Sequence, residues 1–238
     1  MKILLILFLA TISSSLGATA QIPDILIYEG QQYFIFTNPL EDYFGAANPR
    51  PMDLFQMHCT ACWRGYIATF EIRNNELYLN GLIEGTCSDE ERRDVDISRI
   101  FKDQDGLPIR SSWFSGVIRC PLGEQLAYVH MGYDSVYEKE LLLTFEKGNL
   151  VGTEIINNKE NLEMRLSDFK RTKEYADFEK EALKNGLNME DIDSVLRNRL
   201  IRNRLITNRE LGDVETFRSL RLLLERIHSD SRGDSSGD

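Results

Sequence analysis

Gly65-Tyr66-Ile67-Ala68-Thr69-Phe70-Glu71-Ile72-Arg73-Asn74-Asn75-Glu76-Leu77-Tyr78-Leu79-Asn80-Gly81-Leu82-Ile83 is the stretch on which the fold turns. Tyr66, Ala68, Phe70 and Ile72 alternate with Ile67, Thr69, Glu71 and Arg73, the period of two that marks a half-buried strand. Asn74-Asn75 follows, and asparagine tolerates the positive φ that a two-residue primed turn demands. Leu77 and Leu79 return on the second arm, so the stretch reads as a β-hairpin.

The same punctuation recurs on both sides. Upstream, Ile25 to Tyr28 and Gln32 to Thr37 flank Glu29-Gly30 as a second hairpin, and Leu40 to Ala47 reads as a short helix with Pro39 in its first turn. Asn48-Pro49-Arg50-Pro51 is a loop, because two prolines in three residues interrupt helix and ladder alike. Downstream, Lys139 to Ile156 reads as a hairpin turning at Lys147-Gly148-Asn149. Trp113 to Arg119 and Gln125 to His130 read as two further strands separated by Pro121-Leu122-Gly123. Strands at this spacing predict an antiparallel β-rich domain over 21–157, built as a sandwich, a roll or a partly open barrel.

The pattern changes near Asn157. From Glu160 onward proline is absent and helix formers dominate, which predicts a helical C-terminal extension over 158–228 and an α+β chain. Tyr175 to Asn185 stops at Gly186, a left-handed C-cap, and Asn188 caps a new helix whose first turn holds Glu190 and Asp191. A last helix runs from Asp213 to about His228, with Phe217, Leu220, Leu223, Leu224 and Ile227 on one face. Residues 229–238 are polar and read as a disordered tail containing Arg232-Gly233-Asp234, a tripeptide too short to carry a function. Arg197 to Ile201 repeats at once as Arg202 to Ile206. Five residues turn a helix by about 500°, so the repeated arginines scatter around it.

The first twenty residues read as a cleavable signal peptide. Lys2 precedes an apolar run from Ile3 to Ile12, and Ala18-Thr19-Ala20 is a small-x-small site that predicts a mature start at Gln21. That run is shorter than the ~20 residues a spanning helix needs, so no membrane span is expected. The expected location is extracytoplasmic, periplasmic or secreted. A net charge of −10 sets the chain against polyphosphate, so no nucleic-acid partner is expected. Cys59, Cys62, Cys87 and Cys120 are an even set in an exported chain, hence disulfide candidates with up to two bridges and no fixed connectivity.

Cys59-Thr60-Ala61-Cys62-Trp63-Arg64-Gly65-Tyr66, Asn38-Pro39-Leu40-Glu41-Asp42-Tyr43-Phe44, Trp113-Phe114-Ser115-Gly116 and Gly132-Tyr133-Asp134-Ser135-Val136-Tyr137-Glu138-Lys139-Glu140-Leu141 occur in the order in which they resemble a family of uncharacterised bacterial proteins. The resemblance covers about residues 23–156 and stops before the helices. It implies one β domain with an added helical part, and no activity, ligand or catalytic residue.

Tested one chemistry at a time, the residues give no catalytic, cofactor-binding or metal site. Cys59-x-x-Cys62 runs into a strand instead of opening a helix, which argues against a thiol oxidoreductase. Cys87 and Cys120 form no second knuckle for zinc, and Trp63 stands where haem attachment needs histidine. His58, His130 and His228 accompany no Gly-x-Ser-x-Gly elbow. Trp63, Arg64, Tyr137, Glu138 and Glu140 are the densest mixture of aromatic and charge, and so the candidate ligand surface. Alternatively, Arg64 pairs with Glu138 or Glu140 in a structural role. The leading expectation is a non-enzymatic exported module that binds a protein or an envelope component. The alternative is a hydrolase of an envelope or extracellular polymer, with two acids in a cleft beside Trp63 or Trp113.

Overall fold

The computed structural model describes residues 20–202 other than 58, 89, 91, 103, 105, 130 and 131. All but the last residue of the expected signal peptide (1–20), the expected last helix and tail, most of the second half of the arginine repeat and all three histidines therefore lie outside the described residues.

Eight strands form one mostly antiparallel sheet: β1 (Asp24–Tyr28), β2 (Gln31–Ile35), β3 (Tyr66–Arg73), β4 (Glu76–Glu84), β5 (Ile109–Arg110), β6 (Gly116–Ala127), β7 (Val136–Glu146) and β8 (Asn149–Asn157). Three helices follow, α1 (Asn158–Lys170), α2 (Lys173–Lys184) and α3 (Met189–Arg202). The strand order is β2-β1-β3-β4-β8-β7-β6, with β5 alongside β4. The one parallel pairing, Ile25 opposite Thr69, joins β1 to β3.

Asn74 and Asn75 adopt φ of 52° and 63°, the left-handed pair a primed turn requires, and Glu29-Gly30 and Lys147-Gly148 do the same. Tyr66, Ala68, Phe70, Leu77 and Leu79 are fully buried, as the alternation predicts. The register slips between Thr69 and Phe70, which leaves Asn80 as an extra residue and moves the inward position from Leu79 to Leu82.

Two expected elements differ. Leu40 to Ala47 is no helix: a single 3-10 turn, Glu41–Tyr43, follows a fully buried Leu40. No side chain caps that turn, and Gly45 lies just beyond it. Pro121-Leu122-Gly123 does not separate two strands either. β6 runs through it, with register shifts between Leu122, Gln125 and Ala127. Pro121 is tolerated because β6 ends the strand order, so its missing N–H breaks no second ladder. Gly123 has φ 76°, and a Cβ there would lie 2.6 Å from Glu138 Oε2.

The core is divided. One cluster, with Leu26, Phe70, Leu79, Ile118, Leu143 and Phe145, is built on the sheet. A second joins the helices to the far end of the β6–β7 hairpin through Val136, Leu126 and Ala127. Each helix start is capped as its sequence dictates: Asn157 accepts from Glu160 N–H at 3.0 Å, Thr172 from Tyr175 N–H at 3.2 Å and Asn188 from Asp191 N–H at 2.9 Å. No described helix is long and apolar enough to cross a membrane.

Cys59 and Cys87 are joined as a disulfide, with Cα atoms 5.5 Å apart, and tie the approach to β3 to the exit of β4. Cys62 and Cys120 are buried free thiols.

Candidate functional site

The chain leaving β2 crosses to the other end of the sheet. Phe36 N–H donates to Arg119 O at 2.7 Å, and the Thr37 hydroxyl donates to Val117 O at 3.1 Å while accepting from Arg119 N–H at 3.3 Å. Beside this seam lies a cleft of about 290 Å³ lined by Phe36, Thr37, Val117, Arg119, Tyr133, Asp134 and Leu142.

Arg119 is the centre of the cleft. Its guanidinium lies 5.3 Å from the Phe36 ring, a cation–π distance, and Nη2 donates to Tyr133 O. Nε faces Glu140 Oε2 at 3.8 Å and makes no hydrogen bond among the described residues. The side chain is a quarter exposed. Tyr133 stacks on Phe36 at 5.1 Å and 11°, and Tyr137 meets the same ring edge-on at 5.6 Å.

Tyr133 links the cleft to a buried polar network. Its hydroxyl accepts from Arg64 Nη1 at 2.8 Å and from Asn38 Nδ2 at 3.2 Å, and donates to Ile22 O at 3.2 Å. Asp24, wholly buried at the head of β1, accepts from Arg64 Nη2 at 2.9 Å, Ala68 N–H at 2.8 Å and Asn38 Nδ2 at 2.9 Å. Burial pushes the Asp24 carboxyl above its usual range, and Arg64 with the three donors pulls it back. Burial opposes the charge on Arg64, yet Asp24, together with Tyr133, Cys62 and Tyr66, outweighs it and raises the arginine's pKa. We take the pair to be ionised, since Asp24 accepts from three donors and donates to none. Beneath it, Tyr66 O–H donates to Glu41 at 2.6 Å, and Arg50 Nη1 reaches both Glu41 oxygens at 2.6 Å. Burial pushes the Tyr66 and Tyr133 hydroxyls and the Cys62 thiol upward.

The residues expected to form one ligand surface are dispersed. Arg64 is buried and pairs with Asp24, not with Glu138 or Glu140, because it precedes β3 next to β1 while those acids lie on β7. Glu138 pairs with Lys159 at 2.5 Å at the root of α1, which holds its carboxyl below the usual range. Glu140, on the same face of β7, is 4 % exposed beneath Arg119. Trp63 is exposed and away from the cleft lining, whereas Trp113 packs against Phe101 and Tyr43 and donates to Pro39 O at 3.0 Å. Tyr137 does stand beside the cleft, through its contact with Phe36.

Phe36, Thr37 and Arg119 are among the cleft residues that sequence reasoning missed. Their meeting depends on a contact between strands about eighty positions apart. Asp24 carried a signal, an acid opening the apolar run Ile25-Leu26-Ile27. Among the described residues, no group of three or more His, Cys, Asp or Glu side chains could hold a metal ion. Comparison with protein families, with curated proteins and with solved structures finds no match.

Proposed function

We propose that the protein is an exported, non-enzymatic binding module whose β-rich part, read as a partly open barrel, takes its ligand at the seam cleft. The observation that carries this reading is Arg119, whose guanidinium is braced by Glu140 and the Tyr133 carbonyl over the Phe36 ring in a side chain that is a quarter exposed at the cleft. A pre-oriented cation over an aromatic ring suits an anionic group borne on an apolar or planar body, such as an acidic side chain or a substituted sugar of an envelope component. The hydrolase alternative requires two acids in a cleft beside Trp63 or Trp113, and the seam cleft is lined by neither tryptophan. The resemblance to the bacterial family belongs to the same proposal, since its motifs span the sheet and end before the helices.

The test is crosslinking capture from the native extracytoplasmic fraction with the wild-type chain, Arg119→Gln and Phe36→Ala. A species retained by wild type and lost by at least tenfold in both variants supports the cleft. Equal capture by all three rejects it.

A further inference from the structure

We propose that Cys62 is the resident thiol of an internal disulfide exchange that moves the bridge from Cys59–Cys87 to Cys59–Cys62 and presents Cys87 as a surface site for modification by a low-molecular-weight disulfide. The first observation is that three cysteines meet where the chain enters β3 and leaves β4. Cys62 N–H donates to Cys59 O at 3.0 Å and closes residues 59–62 as a turn. Such a turn holds its end Cα atoms within about 7 Å, next to the ~4.4–6.8 Å that a disulfide spans. Cys59 is already bonded to Cys87, with Cα atoms 5.5 Å apart. The Cys62 sulfur faces the segment leading to Cys87, since a Cβ on Gly85 would lie 2.4 Å from Cys62 Sγ. Gly85 N–H donates to Gly65 O at 2.9 Å, which keeps the two segments side by side.

The second observation is a contrast in burial that sets the direction of exchange. Cys62 and Cys59 are buried, whereas Cys87 is exposed. Burial shields Cys62 from thiol reagents in solution but leaves it beside the bridge. Attack on Cys59 Sγ releases Cys87 into water, which solvates its thiolate; attack on Cys87 Sγ would release Cys59 into the buried turn. The thiol with the lower pKa leaves faster, so exchange runs through Cys59. The Cys62 thiol is held in place by one weak bond, donated to Tyr66 O at 3.2 Å. Burial raises its pKa, Arg64 opposes the rise and Asp24 adds to it, and the protonated Tyr133 hydroxyl also faces it. The thiolate is therefore scarce near neutral pH, and the exchange quickens as pH rises.

The chemistry balances within the chain. The Cys62 thiolate attacks Cys59 Sγ, the Cys59–Cys62 bond forms as the Cys59–Cys87 bond breaks, and Cys87 leaves with the electron pair and takes up the proton that Cys62 gave up. No oxidant or reductant is consumed. In a second step the Cys87 thiolate attacks a low-molecular-weight disulfide, keeps one half as a mixed disulfide and releases the other half as a thiolate. Cys59–Cys87 spans a sequence separation of 28 and so restrains the unfolded chain more than a bridge within one turn. It is therefore the resting form, and capture of Cys87 draws the exchange forward. The tie between the approach to β3 and the exit of β4 is lost as the mixed disulfide forms.

The experiment incubates the folded full exported chain and Cys62→Ser with oxidised glutathione at pH 7 and pH 8.5, followed by acid quenching and non-reducing peptide mapping. The expected product in the wild-type chain is one glutathionyl group on Cys87, in molecules that also carry a Cys59–Cys62 bridge. Its formation should be at least tenfold faster at pH 8.5 than at pH 7, and at least tenfold slower in Cys62→Ser. The position of the adduct in the wild-type chain decides the matter even where Cys62→Ser does not fold. A chain that takes up no glutathione, an adduct on Cys59, Cys62 or Cys120 in place of Cys87, or a rate independent of pH would each overturn the proposal. Equal modification of Cys87 in Cys62→Ser would overturn it too, since the bridge would then be opened from outside.

Discussion

Asp24 carries more structure than any other single residue described. Its carboxylate fixes the side chains of Arg64 and Asn38 and the backbone of β3 at Ala68, and through them reaches the Tyr133 hydroxyl. An ion pair this deep contributes little net stability, because desolvation of two charges offsets their attraction, but loss of one partner strands the other. Asp24→Ala should therefore cost on the order of 3–5 kcal/mol in urea unfolding. Arg64→Met in the same background should recover a substantial part by removing the orphaned charge. Equal stability of Asp24→Ala and wild type, or no recovery in the double variant, would show that the network does not hold β1 to β3. The cleft depends on the same residue at one remove, since Tyr133 both stacks on Phe36 and bonds to Arg64.

At the scale of elements the two clusters divide the chain near Asn157. The sheet's own cluster, every named strand and the Cys59–Cys87 bridge lie within 21–157, while the helices share Val136, Leu126 and Ala127 with the hairpin's far end. Removing the helices exposes the buried Val136, at about 1.5–3 kcal/mol for such a side chain, and the Asn158 to Tyr137 hydrogen bond of 2.9 Å goes with it. The fragment 21–157 should consequently remain a monomer that melts cooperatively at a lower temperature than the full chain. Circular dichroism with size-exclusion chromatography checks this, and a molten or aggregated fragment refutes it. The turns were legible because their chemistry is local: Asn74-Asn75 and Lys147-Gly148 meet a positive-φ demand that few residues satisfy. The helix caps at Asn188 and Gly186 were legible for the same reason. Pro121 misled because whether a proline breaks a strand depends on which edge is free, and that edge is set by distant residues. The parallel β1–β3 pairing and the Phe36–Arg119 seam leave no periodic trace, so the cleft could not be assembled from sequence.

For the whole molecule, buried protonated groups make alkaline stability the sharpest readout. Burial raises the Cys120 thiol from its ordinary 9.0 to about 12, and raises Cys62, Tyr66 and Tyr133 in the same direction. Each group releases its proton more readily from the unfolded chain than from the folded one. Between about pH 9 and 12 the unfolded state therefore binds fewer protons, and stability falls as pH rises. Below pH 9 the contribution is fully present, because both states are protonated. A pKa gap of three units corresponds to about 4 kcal/mol for Cys120 once both values are passed, and roughly half of that by pH 10.5. Urea unfolding of a Cys62→Ala chain at pH 8 and 10.5 measures the fall without a second thiolate able to exchange with Cys59–Cys87. Lysine neutralisation on a chain of net charge −10 adds a repulsive part, but salt screens it and does not screen the buried thiol. At 0.5 M salt the residual pH dependence should drop by about 2 kcal/mol when Cys120 is also replaced by alanine. A pH dependence unchanged by Cys120→Ala would mean that the thiol reaches water in the folded chain, and that the sheet's interior opens beside β6.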